Sequence, residues 1–142
     1  MHLSKYIDPI FNPNIGLLLL RVSLGGLFLL HGIHKLQTGV EWMKELMTSN
    51  GLPAVMVYGA FVGEVLAPIL IILGIATRPA ALMVVFTMII AIYVAHGGEV
   101  FELGKHGESK IELQLLYLFG ALTLVFTGSG KIGLRQGKKL LD

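Results

Sequence analysis

Arg21 and Glu64 are charges where this chain should carry none, because each interrupts a long apolar stretch. A charge at bilayer depth costs at least about 2.5–3.5 kcal/mol on insertion scales, so such residues pair with one another or serve a function. Glu64 falls near the middle of its stretch and Arg21 a little to one side. Their axial offset is about four residues, or roughly 6 Å at 1.5 Å per residue. An arginine side chain covers that distance, so the sequence predicts an Arg21–Glu64 ion pair. In such a pair Arg21 orients a polar head or an anion and Glu64 exchanges protons. At 100° per residue, Gly25, Phe28, Gly32 and Lys35 share the Arg21 face, where glycines let a helix or a ligand approach the backbone. Gly59, Gly63 and Ala67 form a second small-residue run beside Glu64. Pro68 cannot donate to the Glu64 carbonyl, which predicts a broken backbone at the buried carboxylate.

A second polar layer sits at the ends of the stretches. His31, His34 and Lys35 close the first, His96 closes the third, and Glu108 and Glu112 lead into the fourth. Three histidines and two carboxylates can hold a transition metal, relay protons or simply face water. No HExxH or comparable spacing occurs, so no metal site is assigned; His31, His34 and His96 are the ligands one would use. Bis-histidine haem through His31 and His96 is a further alternative. Tyr58, Tyr93 and Tyr117, with Phe28 and Phe119, can line a pocket for a flat quinone ring. Plain core packing is the competing reading of these aromatics.

These side chains need long apolar elements to position them. The chain has 142 residues, 54% of them hydrophobic and 14% charged, where a soluble domain carries about 25% charged. Mean hydropathy is +0.76. The hydrophobic content matches four spans of about 20 residues, the length a bilayer core demands. This excludes a soluble domain, a disordered chain and a nucleic-acid reader, despite a pI near 9.0. There is no cysteine, so the chain itself supplies no disulfide, iron–sulfur cluster or covalent haem.

Gaps between charges locate the spans at about 14–36, 54–76, 79–98 and 112–130. The prediction is an all-α membrane protein, a single domain folded as a four-transmembrane-helix up-down bundle. Between the first two spans, residues 40–48 place Val40, Met43, Leu46 and Met47 on one face, predicting a short interfacial helix with Trp42 at headgroup level. Residues 1–13, with Tyr6, Pro9 and Phe11, read as an interfacial lead-in. Arg21 inside the first apolar stretch argues against a signal peptide. Lys5, Arg78, Lys131, Arg135, Lys138 and Lys139 on one side outnumber Lys35, Lys44, Lys105 and Lys110 on the other. The positive-inside rule then places both termini in the cytoplasm.

In order and spacing these residues resemble the DoxX family of small four-span bacterial membrane proteins. The resemblance rests on Leu20-Arg21-Val22, Gly25-Gly26-Leu27-Phe28 and His31-Gly32-Ile33-His34-Lys35-Leu36. It continues through Gly63-Glu64, Gly74-Ile75-Ala76-Thr77-Arg78-Pro79-Ala80-Ala81, Glu112, Leu115-Leu116-Tyr117 and Gly128-Ser129-Gly130, covering about 14–134. Gly133-Leu134-Arg135 departs from the Ser-Leu-Asp-like turn such proteins often carry, so any role of that acid has no bearer here. The resemblance implies a bacterial inner-membrane location and a link to respiratory or sulfur redox chemistry, through relatives that form thiosulfate:quinone oxidoreductase subunits.

The leading expectation is therefore a subunit or accessory of a membrane redox complex with a quinone or another small ligand near Arg21 and Glu64. Arg21, Glu64 and Glu112 form the polar site, and Gly25, Phe28, His31, Gly32, Lys35, His96 and Tyr117 contact the ligand. The bilayer, a membrane or peripheral redox partner and a second copy of the chain are the expected partners. The alternatives are a non-catalytic scaffold or assembly protein whose buried charges are structural, and a small-solute transporter.

Overall fold

The structure, a computed structural model, describes residues 11–134 and Leu141. The lead-in at Tyr6 and Pro9, and the orientation cations Lys5, Arg135, Lys138 and Lys139, lie outside the described residues. All elements are helical, and the described residues contain no strand beyond a single Leu103–Ser109 bridge.

Helix α1 (Pro13–Thr38) begins where Pro13 is pre-set for the first turn and the Asn12 side chain accepts from the Asn14 N–H at 2.9 Å. It stops at Gly39, whose φ of 82° ends the helix while its N–H bonds the Lys35 carbonyl. Helix α2 (Glu41–Ser49) is the expected short amphipathic segment, with Met43 and Met47 buried one turn apart.

The second apolar segment runs continuously from Ala54 to Leu73. It comprises a 3₁₀ turn (Ala54–Met56), α3 (Val57–Phe61), a π-turn (Val62–Leu66) and α4 (Ala67–Leu73). The break expected at Pro68 is therefore corrected. The chain takes up one extra residue, and the Ala67 N–H bonds the Val62 carbonyl five residues back, which keeps the helix going past a residue that cannot donate. It ends at Gly74 (φ 70°), and Ala76 (φ 47°) completes the reversal.

Helix α5 (Thr77–His96) thus starts two residues before the expected Pro79. Helix α6 (Glu112–Thr127) stops three residues short of the expected Gly130, because Gly128 leaves the helix at φ 75°. Among the described residues, three helical segments are long and apolar enough to cross a membrane. With 16 residues, α6 spans only about 24 Å.

Helix α1 packs on α4 and the π-turn, α4 on α5, α5 on α6, and α6 back on α1. Phe28, Ile71, Val84 and Leu124 fill the space between them, with Ala67, Ala80, Ala81 and Ala121 wholly buried. Small residues at these contacts let backbones approach, which is how helices gain dispersion energy where lipid tails compete equally for apolar surface. A second cluster joins Val40, Met43 and Met47 to Val57 and Val94, seating α2 across the ends of α3 and α5.

Candidate functional site

Arg21 and Glu64 do not meet, which corrects the expected pair. Gly25 lies against the Pro68 carbonyl and Ile72, while Gly32 lies against the backbone of Glu64. In that antiparallel register Glu64 is level with Gly32, about 11 residues or roughly 16 Å along α1 from Arg21. Arg21, 1% exposed, instead holds backbone. Its Nε donates to the Ile71 carbonyl at 2.8 Å, Nη2 to Ile72 at 2.9 Å, and Nη1 to Ser129 at 2.8 Å and to Ile132. The early stop of α6 leaves non-helical carbonyls near the bundled helix ends, and lipid offers them no donor; the guanidinium supplies one. Gly74 admits it, because a Cβ there would lie 2.5 Å from Nη2.

Glu64 pairs with Lys35. Lys35 Nζ donates to Glu64 Oε1 at 2.5 Å, from a residue that the helical stripe placed on the correct face but not with this partner. Glu64 is 3% exposed, and its Oε2 has no hydrogen-bond partner among the described residues. The pair lines a cavity of about 570 Å³, whose wall is otherwise nearly all apolar. Met43 and Met47 of α2, Met56, and Met83 and Phe86 of α5 contribute much of that wall. Val62 and Phe86 also line it while facing outward, 41% and 58% exposed, so the cavity borders the outer surface of the helices. The i,i+4 spacing of Met43 and Met47 marked the α2 face in the sequence. Nothing local marked Met56, Met83 or Thr87 as lying opposite.

The remaining candidates separate into two groups. Phe28, His31 and Tyr117 form a ring cluster between α1 and α6, with Tyr117 5.1 Å from Phe28 and 5.8 Å from His31 between centroids. Tyr58, Tyr93 and Phe119 point outward and do not join it, which corrects the five-aromatic pocket. His96 accepts from Gln114 at Nε2 (3.1 Å), leaving Nδ1 to face Glu99 at 3.4 Å. His34 is exposed, and Glu112 is exposed in the first turn of α6; neither lines the cavity.

A family model described as DoxX matches residues 16–97, more than half the chain. The chain belongs to the DoxX family. The matched stretch of this DoxX protein contains Arg21, the Lys35–Glu64 pair and every cavity-lining residue; Glu112 and Tyr117 lie beyond it. A Bacillus subtilis (strain 168) protein named "Putative oxidoreductase CatD" is 33% identical over 129 residues, covering 88% of this chain and 91% of that protein. Two Haemophilus influenzae proteins, both named "Uncharacterized protein", are 31% and 29% identical, covering 81% and 84% of this chain and 84% and 81% of their own lengths. No solved structure matches. As a DoxX membrane protein with apolar helices, the chain contacts the lipid bilayer.

The DoxX chain also carries a charged loop between α5 and α6. Lys110 bonds Glu102 at 2.6 Å and Glu99 at 3.1 Å. Lys110 holds the Glu99 carboxyl below the ordinary value of 4.5, with His96 adding to the effect, and Glu102 then Glu99 push Lys110 up. Because Glu99 is lowered on folding, its contribution is present above the unfolded value and fades as pH falls through the folded one. Hydrogen exchange at the Lys110 amide, which bonds the Glu102 carbonyl, should therefore lose protection as pH falls below the ordinary carboxylate value. Lys110→Met should flatten that dependence. An unchanged profile in the variant would show that the ion pairs do not hold the loop.

Proposed function

We propose that this DoxX protein is a four-span up-down bundle of the bacterial inner membrane with both termini cytoplasmic. It acts as a subunit or accessory of a membrane redox complex and takes a quinone-class ring into the Lys35–Glu64 cavity. The observation that carries this reading is the Lys35–Glu64 ion pair in the wall of an otherwise apolar cavity bordered by outward-facing side chains. A ligand with an apolar body and a polar end matches such a lining. Lys35 binds and orients the ring oxygen, Glu64 accepts or returns a proton, and the methionine wall excludes water while adapting to ring shape. The name of the Bacillus subtilis relative points toward redox work. Arg21, fully engaged by carbonyls, takes a structural part in this reading, and Glu112 and His96 stand outside the cavity.

A decyl-tailed benzoquinone should raise the unfolding temperature of the purified protein, with stabilisation of about 2.7 kcal/mol at a hundredfold excess over Kd. Lys35→Met should abolish the rise. No stabilisation of the folded wild-type protein by either oxidation state of this ring would favour the scaffold reading, in which the buried charges only fix helix register.

A further inference from the structure

We infer that the cavity holds an acyl chain of a bilayer phospholipid, which enters sideways between the π-turn and α5. This goes beyond the proposed function: the acyl chain is what a ring ligand would displace, and its presence depends on no ring.

Three observations carry it. The first is where the cavity borders the outside. Val62 of the π-turn and Met83 and Phe86 of α5 line it while remaining 41%, 40% and 58% exposed. They belong to two segments long and apolar enough to cross a membrane, so the medium beyond them is the lipid that the protein already contacts. The second is the cover. Met43 and Met47 of α2 are buried and line the cavity, while Glu41, Glu45 and Thr48 on the same helix are exposed. An amphipathic helix of this kind separates apolar space from polar surface, the boundary that a phospholipid spans with its tail and headgroup. The third is charge. Among the described residues, Lys35 and Glu64 are the charged side chains of the wall, and they neutralise each other at 2.5 Å. The carboxylate of a free fatty acid finds no unmatched cation there, whereas a phospholipid keeps its charges outside. Apolar atoms that face a void forfeit dispersion contacts, and the flexible methionines of the wall can follow a bent chain.

Trp42 is the single tryptophan of the protein and lines the cavity, so its emission reports an occupant that carries a quencher. The full-length protein is reconstituted in vesicles of phosphatidylcholine with brominated acyl chains, extracted into detergent and washed until free lipid is gone. The wild type should retain a single phospholipid per protein by phosphorus analysis, with Trp42 still quenched. Gly59→Leu should lose both the retained lipid and the quenching. Gly59 lines the cavity and a Cβ there meets nothing within 4 Å, so bulk is added without a clash. Ala95→Phe, in the α5 wall, serves in its place should that variant not fold. A folded wild-type protein that keeps no phospholipid overturns the inference, as does unchanged retention and quenching in a folded variant. Displacement of the phospholipid by an equal concentration of brominated fatty acid assigns the cavity to a free acid and overturns it as well. None of these readouts involves a ring ligand, so the quinone-class reading stands or falls by its own test.

Discussion

Replacing Arg21 with alanine is expected to leave little folded protein in the membrane. The guanidinium is the donor for carbonyls of Ile71, Ile72, Ser129 and Ile132, drawn from segments far apart in the chain. Each buried acceptor left without a donor costs about 1–3 kcal/mol. Orphaning only half of these four would remove about 2–6 kcal/mol, against a total stability of about 5–15 kcal/mol for a typical domain. Arg21→Lys should recover less than half of the loss, since one ammonium cannot reproduce a planar fork that serves two chain segments at once. The unfolding midpoint in mixed detergent–SDS micelles reads this directly. An Arg21→Ala midpoint within about 1 kcal/mol of wild type, half the lower figure for orphaning two carbonyls, would contradict the structural role.

Gly32→Ala should cost more than Gly63→Ala, although both add one methyl group at a buried helix contact. The new Cβ at position 32 would strike the carbonyl oxygen and carbon of Glu64, which are backbone and cannot step aside. At position 63 it would meet the Thr87 hydroxyl, a side chain that can rotate at the expense of its bond to Met83. Overpacking against backbone costs about 1–3 kcal/mol. Here it also moves α1 away from the π-turn and separates Lys35 from Glu64. Gly32→Ala should therefore lose both stability and quinone-class binding, while Gly63→Ala keeps most of each. Equal losses in the two variants would mean that the α1 contact at Glu64 is not the tighter one.

These two positions also mark what the sequence could and could not disclose. Helix ends were legible to within a few residues, since charges collect where a chain leaves lipid, and Gly74 and Gly128 stop helices for reasons local to themselves. Register between helices was not legible. The Arg21–Glu64 pairing assumed spans aligned at their midpoints, whereas the actual alignment follows from Gly32 fitting the one carbonyl whose α-helical donor Pro68 removed. That fit depends on a π-turn, for which residues 62–66 carry no compositional signal. Lys35 sat on the right face from the start, and its partner emerged only with the register. The cavity had the same difficulty. One wall, Met43 and Met47, had a period to read, but the facing wall of Met56 and Met83 comes from other helices, and contacts across helices leave no spacing behind.

The brevity of α6 has a consequence for the surrounding lipid. If α6 crosses the bilayer, as the proposed four-span arrangement requires, an apolar rod of about 24 Å stands in a hydrocarbon layer of about 30 Å. The remaining 6 Å or so of mismatch would then be met by local thinning of the bilayer beside α6, at fractions of a kcal/mol per Å. Acyl chains bordering that helix would be compressed while those beside the 26-residue α1 would not, an asymmetric elastic field around the protein. Two molecules that turn their α6 sides toward each other share one deformed annulus in place of two. In that arrangement the bilayer itself would supply a weak, orientation-specific attraction between copies, without any complementary protein surface.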